Sequence, residues 1–223
     1  MVKKKILIIG AGAMGTAFSF PCSDNSHAVS IVGTHLEDSF VDKVNSTKFH
    51  PSLLCKIPNQ VKFLKYKNLR EEINKKIDLI VIAVSSKGID WVSLELVKIL
   101  KKNIPILILT KGLALYKNKF EVLSEKMKRI LGKTLSKKIN ISVAGGPCLA
   151  KGLANRMHTS VVYANSNVKF VSKLANLLST DYYHIFITKD VIGVQVCAAI
   201  KNIFSMAIGA SLGLCKTTSA RKI

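Results

Sequence analysis

Apolar positions along the chain gather into short unbroken aliphatic runs, separated by stretches in which polar and apolar residues recur at helical spacing. Ile6-Leu7-Ile8-Ile9, Asp78-Leu79-Ile80-Val81-Ile82-Ala83-Val84 and Ile106-Leu107-Ile108-Leu109 are such runs, the pattern of strands buried on both faces. The first leads into glycines and a helix reaching about residue 20, then a polar turn at 24–27 and a second strand over 28–32, which makes a βαβ unit. Beyond it the pattern predicts a helix over 39–45, a loop holding Pro51 and Pro58, a short strand over 60–64 and a polar helix over 69–75. The strand over 78–84, a helix over 89–100 and the strand over 106–109 follow. A helix over 120–131, strands over 141–144, 159–164 and 182–187, and a helix over 168–178 come next. Alternation of this kind is α/β, and no internal repeat or low-complexity linker interrupts it.

The turn Gly10-Ala11-Gly12-Ala13-Met14-Gly15 sits between the first strand and the first helix. Gly10 would allow the tight turn, Gly12 a close approach of backbone to a pyrophosphate, and Gly15 close packing of helix on strand. The helix N-terminus would hold the phosphates. Dinucleotide binding is one reading of this turn, and an ordinary strand-turn-helix is the other. An acidic residue ending the second strand would take a ribose 2′-hydroxyl, and an arginine a 2′-phosphate. Here the strand ends Gly33-Thr34-His35, with Glu37 and Asp38 slightly late, so the choice between NAD and NADP stays open.

Three more loops follow strands, where α/β proteins keep their ligand sites: Ser85-Ser86-Lys87-Gly88, Thr110-Lys111-Gly112 and Gly145-Gly146-Pro147-Cys148. Lys111 is either an anion contact or one more surface lysine. The glycines before Pro147 either offer amides to a phosphate or oxyanion or form a plain turn. From residue 191 the chain reads as a largely buried helix with a single cation, Lys201. Desolvation would lower its pKa toward a range useful for proton transfer, unless the side chain snorkels to water.

Composition narrows these readings. The chain has 223 residues, 48% hydrophobic and 21% charged, enough to bury a real core. No uncharged apolar run reaches about 18 residues, so no membrane span is expected. Lys3-Lys4-Lys5 leads into an apolar run that breaks at once into glycines, which fits a first strand better than a signal peptide, and a cytoplasmic location is expected. The five cysteines, Cys22, Cys55, Cys148, Cys197 and Cys215, lack a C-x-x-C pair and read as reduced thiols, mostly packed or half-buried, with no metal site. The net charge of +21 comes mostly from dispersed lysines, not from an arginine-rich or aromatic-interleaved module. That argues against nucleic-acid binding as the main role, though a basic surface attracts phosphorylated metabolites.

Four motifs occur together: Gly10-Ala11-Gly12-Ala13-Met14-Gly15-Thr16-Ala17, Thr110-Lys111-Gly112, Gly145-Gly146-Pro147-Cys148-Leu149-Ala150, and Asp190-Val191-Ile192-Gly193-Val194-Gln195 continuing to Ala199-Ile200-Lys201-Asn202. In order and spacing the chain resembles NAD(P)-dependent glycerol-3-phosphate dehydrogenases from the first strand to Asn202, with Val32-Gly33-Thr34-His35-Leu36 and the Ser85 loop closer to the archaeal-type branch. The resemblance implies a Rossmann-type, doubly wound, mostly parallel sheet over 1–188, followed by the start of an all-helical domain over 189–223. It implies NAD or NADP as cofactor and interconversion of dihydroxyacetone phosphate and sn-glycerol 3-phosphate for glycerophospholipid synthesis. It further implies cofactor contacts at Gly10, Gly12, Ala13, Met14, Gly15, Thr34, His35 and Ala150, and substrate contacts at Gly146 and Cys148. Lys111 would serve cofactor and substrate, and Lys201 would transfer the proton to a developing alkoxide.

Two positions depart from the family: Cys148 stands where serine is usual, and Gln195 where glutamate is usual. The family also continues past residue 223 with helical segments that complete the substrate site. Two outcomes are therefore expected, a dehydrogenase that needs a further C-terminal part or an inactive nucleotide-binding remnant. An uncovered apolar face over 191–214 would favour a homodimer.

Overall fold

The computed structural model describes residues 2–214. In chain order the elements are β1 (Lys5–Ile9), α1 (Ala13–Asp24), β2 (Ala28–Val32), α2 (Asp38–Thr47), β3 (Phe49–His50), β4 (Cys55–Lys56) and β5 (Lys62–Leu64). A single 3-10 turn, Tyr66–Asn68, leads to α3 (Leu69–Asn74), β6 (Leu79–Ile82), α4 (Gly88–Ile99) and β7 (Ile106–Ile108). Then come β8 (Leu113–Tyr116), β9 (Lys119–Val122), α5 (Leu123–Ser136), β10 (Ile141–Gly145) and α6 (Ala150–Ala154). The chain continues through β11 (Thr159–Ala164), α7 (Val168–Leu178), β12 (Tyr183–Thr188) and α8 (Val191–Leu214).

Eight strands form one sheet in the order β12-β11-β10-β7-β6-β1-β2-β5. Every pairing is parallel except β10 with β11. The unbroken aliphatic runs follow from burial on both faces. In β1, Ile6 and Ile8 point into one core with Phe18, Val41 and Leu174, while Leu7 and Ile9 point into the other with Val92, Leu96 and Met127. β6 divides in the same way, Leu79 and Val81 against Ile80 and Ile82. Strand direction sends the loops after β1, β6, β7 and β10 to one edge of the sheet.

The β3–β4 pair and α6 stand where loops were expected, and three larger elements also differ from expectation. The helix foreseen over 120–131 begins only at Leu123, because 113–122 folds as the β8–β9 hairpin. Its turn residues Lys117 and Asn118 both take left-handed φ, 49° and 60°, the turn that suits strand twist. Helix α1 runs through Pro21 to Asp24, since Phe18, Phe20 and Cys22 are buried and their packing outweighs the lost N–H. The final helix was expected to be largely buried, yet Gln195 is the only buried residue among its described side chains, with its first turns half-buried and the rest exposed.

That helix, α8, lies against β10, β11 and the β8–β9 hairpin near its start and projects into solvent beyond residue 201. The stretch Val191–Gly213 holds an 18-residue window with a mean hydropathy of 1.7 and is long and apolar enough to cross a membrane by length and composition. The charge of Lys201 interrupts it, which is why an uncharged run of that length did not stand out. Of the cysteines, Cys22 and Cys148 are buried, Cys55 is half-buried and Cys197 is exposed, all free, while Cys215 lies outside the described residues. Among the described residues no group of three or more His, Cys, Asp or Glu side chains could hold a metal ion.

Candidate active site

The carboxyl edge of the sheet collects the residues singled out by sequence. Gly10 takes φ +111°, and a Cβ there would stand 2.7 Å from the Ala83 carbonyl oxygen, so β1 can turn this close to the end of β6 only with glycine. A Cβ at Gly15 would meet the Gly10 carbonyl oxygen, which seats the first turn of α1 directly on the glycine turn. Gly12 is the N-cap of α1, without a side-chain cap or an acidic residue in the first turn. A Cβ on Gly12 would have only Glu37 Oε1 within 4 Å, at 3.8 Å. An uncapped helix N-terminus beside open space fits the phosphates of a dinucleotide. Ala13 and Met14, in the first turn of α1, are half-buried. Met14 lines a cavity of about 280 Å³ with Ala83, Ser85, Ser86, Thr110 and Lys111, so the glycine turn and the lysine loop share one cleft.

At the far side of the glycine turn, Thr34 and His35 follow β2. The Thr34 amide donates to Glu37 Oε2 at 2.7 Å, and the His35 ring lies 5.2 Å from Trp91 and 6.4 Å from Tyr66, centroid to centroid. Ala150 opens α6, which packs along α1.

Lys111 Nζ donates to the Gly146 carbonyl oxygen at 3.2 Å, joining the loops after β7 and β10. Thr110 Oγ1 ties the first of these to β6 through the Val84 carbonyl, at 2.7 Å. Burial lowers the Lys111 pKa from its ordinary value; the nearby Cys148 opposes the shift and the Lys201 charge adds to it. The same burial raises the Cys148 thiol despite Lys111, which keeps it a neutral, weak hydrogen-bond partner.

Lys201 reaches this edge along α8. Val194 and Ala198, in the first two turns of α8, meet Gly145 at the end of β10, and Lys201 follows three residues later. Contact between helix and strand requires Gly145, where a Cβ would lie 2.7 Å from Val194 Cγ1. Asp190 Oδ1 accepts from the Gly193 amide at 2.7 Å to start the helix. Gln195, 6% exposed, pins it to α5: Oε1 accepts from the Ser124 amide at 3.0 Å, and Nε2 donates to Ser124 Oγ at 2.8 Å. A carboxylate at 195 could accept from both Ser124 groups, and only the Nε2 bond to the Val191 carbonyl, at 3.0 Å, requires the amide donor. Lys201 borders a cavity of about 650 Å³ with Gly146, Pro147 and Ala198. It is exposed and donates to Asn202 Oδ1 at 2.9 Å, so the desolvation expected of it is absent from this arrangement.

Gly145 and Glu37 carry more of the geometry than sequence reasoning gave them. Gly145 opens the Gly145-to-Ala150 motif, and Glu37 lies too far past β2 along the chain to count as the strand-end acid.

A parallel α/β sheet whose first strand enters a glycine turn under an uncapped helix defines a Rossmann-type dinucleotide-binding protein. Residues 5–171 match the family described as NAD-dependent glycerol-3-phosphate dehydrogenase N-terminus, and the chain belongs to that family. It is 30% identical over 203 residues to the NADP(+)-dependent glycerol-3-phosphate dehydrogenase of Archaeoglobus fulgidus, covering 91% of this chain and 59% of that protein. With the glycerol-3-phosphate dehydrogenase [NAD(P)+] of Francisella philomiragia it shares 30% identity, covering 95% of this chain and 61% of the other. The chain thus spans about three fifths of these curated relatives. The glycerol-3-phosphate dehydrogenase structure from Coxiella burnetii superimposes with a TM-score of 0.82 at 27% identity, over 99% of this chain and 64% of that one. In that setting α8 fits the start of an all-helical domain.

Proposed function

We propose that the chain carries the cofactor half, and the beginning of the substrate half, of an NAD(P)-linked oxidoreductase that interconverts dihydroxyacetone phosphate and sn-glycerol 3-phosphate. The observation that carries this reading is that Lys111, bonded to the Gly146 carbonyl, and Lys201, which borders a cavity with Gly146, come from two different elements to one edge of the sheet, beside the cleft of the glycine turn. A bound nicotinamide dinucleotide supplies the hydride. The amides of Ala13 and Met14 and the open space at Gly12 receive its pyrophosphate, with Gly10, Gly15, Thr34, His35 and Ala150 shaping the surrounding wall.

Lys111 stands in the half-buried loop beside Gly146 and Cys148, where a lysine suits the phosphate of the substrate and the cofactor. Lys201 holds a proton at Nζ for the oxygen of the ketone as it becomes an alkoxide. Closing further helices over α8 would supply the burial that Lys201 lacks here. We divide the chain accordingly, 1–188 for the nucleotide and 189–223 as the first part of a helical substrate domain. A lysine at the substrate edge favours a domain helix over a membrane span for α8, and the enzyme is read as a cytoplasmic one feeding glycerophospholipid synthesis.

The test is oxidation of NADH and NADPH in the presence of dihydroxyacetone phosphate. Turnover that disappears in Lys201→Ala while dinucleotide binding persists supports the proposal, and no turnover in the unsubstituted chain overturns it for this chain alone. The second reading, a nucleotide-binding remnant without turnover, is favoured by the exposure of α8, where Ile203, Phe204, Met206 and Ile208 all face solvent. The same face would drive homodimerisation, and a monomer in light scattering at all concentrations overturns that part.

A further inference from the structure

In a chain of net charge +21, the segment that follows β2 runs against the general balance: residues 34–42 hold Glu37, Asp38 and Asp42 with neither lysine nor arginine. The nearby Lys65 is taken by Asp42 at 2.7 Å, and Asp38 Oδ1 accepts from the Tyr66 amide at 3.2 Å.

Glu37 alone of the three turns toward the glycine loop. The Glu37 amide donates to the Thr34 carbonyl at 3.0 Å, a tight turn that sends the chain back over β1, and the Val41 amide then takes the Glu37 carbonyl to begin α2. Gly33 admits this fold, since a Cβ there would come within 2.9 Å of Val41 Cγ2. Five residues past the strand, the carboxylate therefore arrives where a strand-end acid would stand. Its Oε2 accepts from both the Ala11 amide, at 3.1 Å, and the Thr34 amide, at 2.7 Å. Oε1 faces Gly12 and accepts no hydrogen bond from the described residues.

We propose that Glu37 sets the cofactor preference, accepting a ribose hydroxyl at Oε1 and rejecting a 2′-phosphate, so that the chain selects NAD over NADP. The inference rests on the reading of the glycine turn as a dinucleotide site. A hydroxyl brings the donor that Oε1 lacks, and a charged acceptor makes that bond a strong one. A 2′-phosphate brings negative charge against the carboxylate and finds the two nearest amides already engaged, without an arginine in the segment to receive it. The preference runs opposite to the cofactor in the name of the Archaeoglobus fulgidus relative.

Binding, not turnover, is the direct readout. Trp91 is the only tryptophan and stands 5.2 Å from the His35 ring, so quenching of its emission reports on this corner of the cleft. NADH is expected to bind at least about tenfold more tightly than NADPH at low ionic strength, with the gap narrowing as salt is raised. Glu37→Gln keeps an oxygen for the Ala11 and Thr34 amides, removes the charge, and puts an NH2 donor where the free acceptor Oε1 stood. It is expected to bring the two affinities within about threefold, by weakening NADH, which loses its acceptor, and tightening NADPH, which loses the repulsion. Circular dichroism and melting temperature should match the unsubstituted chain. Equal or tighter binding of NADPH by the unsubstituted chain overturns the proposal and leaves the dinucleotide site standing, as does an unchanged ratio in Glu37→Gln. Failure to bind either dinucleotide overturns both.

Discussion

Around the glycine turn, backbone is packed against backbone on every side: β1 lies between β2 and β6, α1 is seated on Gly10, and Glu37 closes the loop from above. On the far side of the Lys111–Gly146 contact, α8 touches the sheet over its first turns and shows the rest of its length to water. The two ends of one proposed site are thus held by different physics. A buried parallel sheet over-determines its glycine loop, because any displacement costs core packing on both faces. A helix docked through Gly145 and Gln195 keeps its register by a close approach and a small hydrogen-bond set, and its lysine is positioned without being desolvated.

Substitutions that strike one end and spare the other should separate these cases. The largest effect is expected from Gly10→Val, which adds a branched side chain at φ +111° against the Ala83 carbonyl. A loss of about 3 kcal/mol or more in urea unfolding is expected, with dinucleotide binding abolished. Unchanged stability would mean that the turn is far less constrained than its geometry requires.

Lys201→Ala makes the opposite split. Turnover should fall by about a hundredfold or more, the contribution of a positioned general acid. The melting temperature should not move, since the side chain is exposed and bonded only to its neighbour Asn202. A stability loss as large as that of Gly10→Val would place Lys201 in the fold instead of the chemistry.

Gln195→Leu tests the joint between the two regions. It leaves the buried Ser124 amide and hydroxyl without their partner, which should cost about 2 kcal/mol and disorder α8 before the sheet. Hydrogen exchange would see protection lost in residues 191–201 and retained in β1 and β6. Uniform loss across the chain would show that α8 and the sheet unfold as one unit.

The smallest effect is expected far from both ends, at the last turn of α1. Asp24 forms a bidentate pair with Arg156, both contacts at 2.8 Å, and accepts from Tyr182 at 2.6 Å. Burial alone would raise its pKa, but the hydrogen bonds from Arg156 and Tyr182 outweigh it and hold the carboxyl below its usual 3.8. A depressed folded-state value stabilises above the unfolded pKa and is lost as pH falls through the folded one. Asp24→Asn should therefore cost about 1 kcal/mol near pH 7, allowing for the half-exposed Arg156. The gap should close at pH values below about 4. A gap that persists there would point to lost packing in place of lost charge.

The alternation of aliphatic runs with helical spacing was enough to read the central strands, because double burial demands a composition that few other structures tolerate. β2 and α7 begin and end at the residues expected of them, 28–32 and 168–178. The β8–β9 hairpin was hidden because Lys117 and Asn118 lack the glycine that usually marks a turn with positive φ. Glu37 was hidden for a related reason: its distance along the chain from β2 conceals a tight turn that makes it a near neighbour in space. The exposure of α8 was misread because apolar composition records what a helix is suited to pack against, not what covers it.

What the sequence determined by itself is therefore local and compositional: the α/β class, the glycine turn, and the residue types of the candidate site. These depend on period, burial preference and the stereochemistry of glycine, which single residues express. Only the tertiary structure decided which residues meet. It brought Lys111 to Gly146, set Gln195 against Ser124, left Lys201 in water, and turned Glu37 back onto Ala11 and Thr34. Contacts between elements depend on how the chain crosses the sheet, and a one-dimensional pattern carries no record of that path.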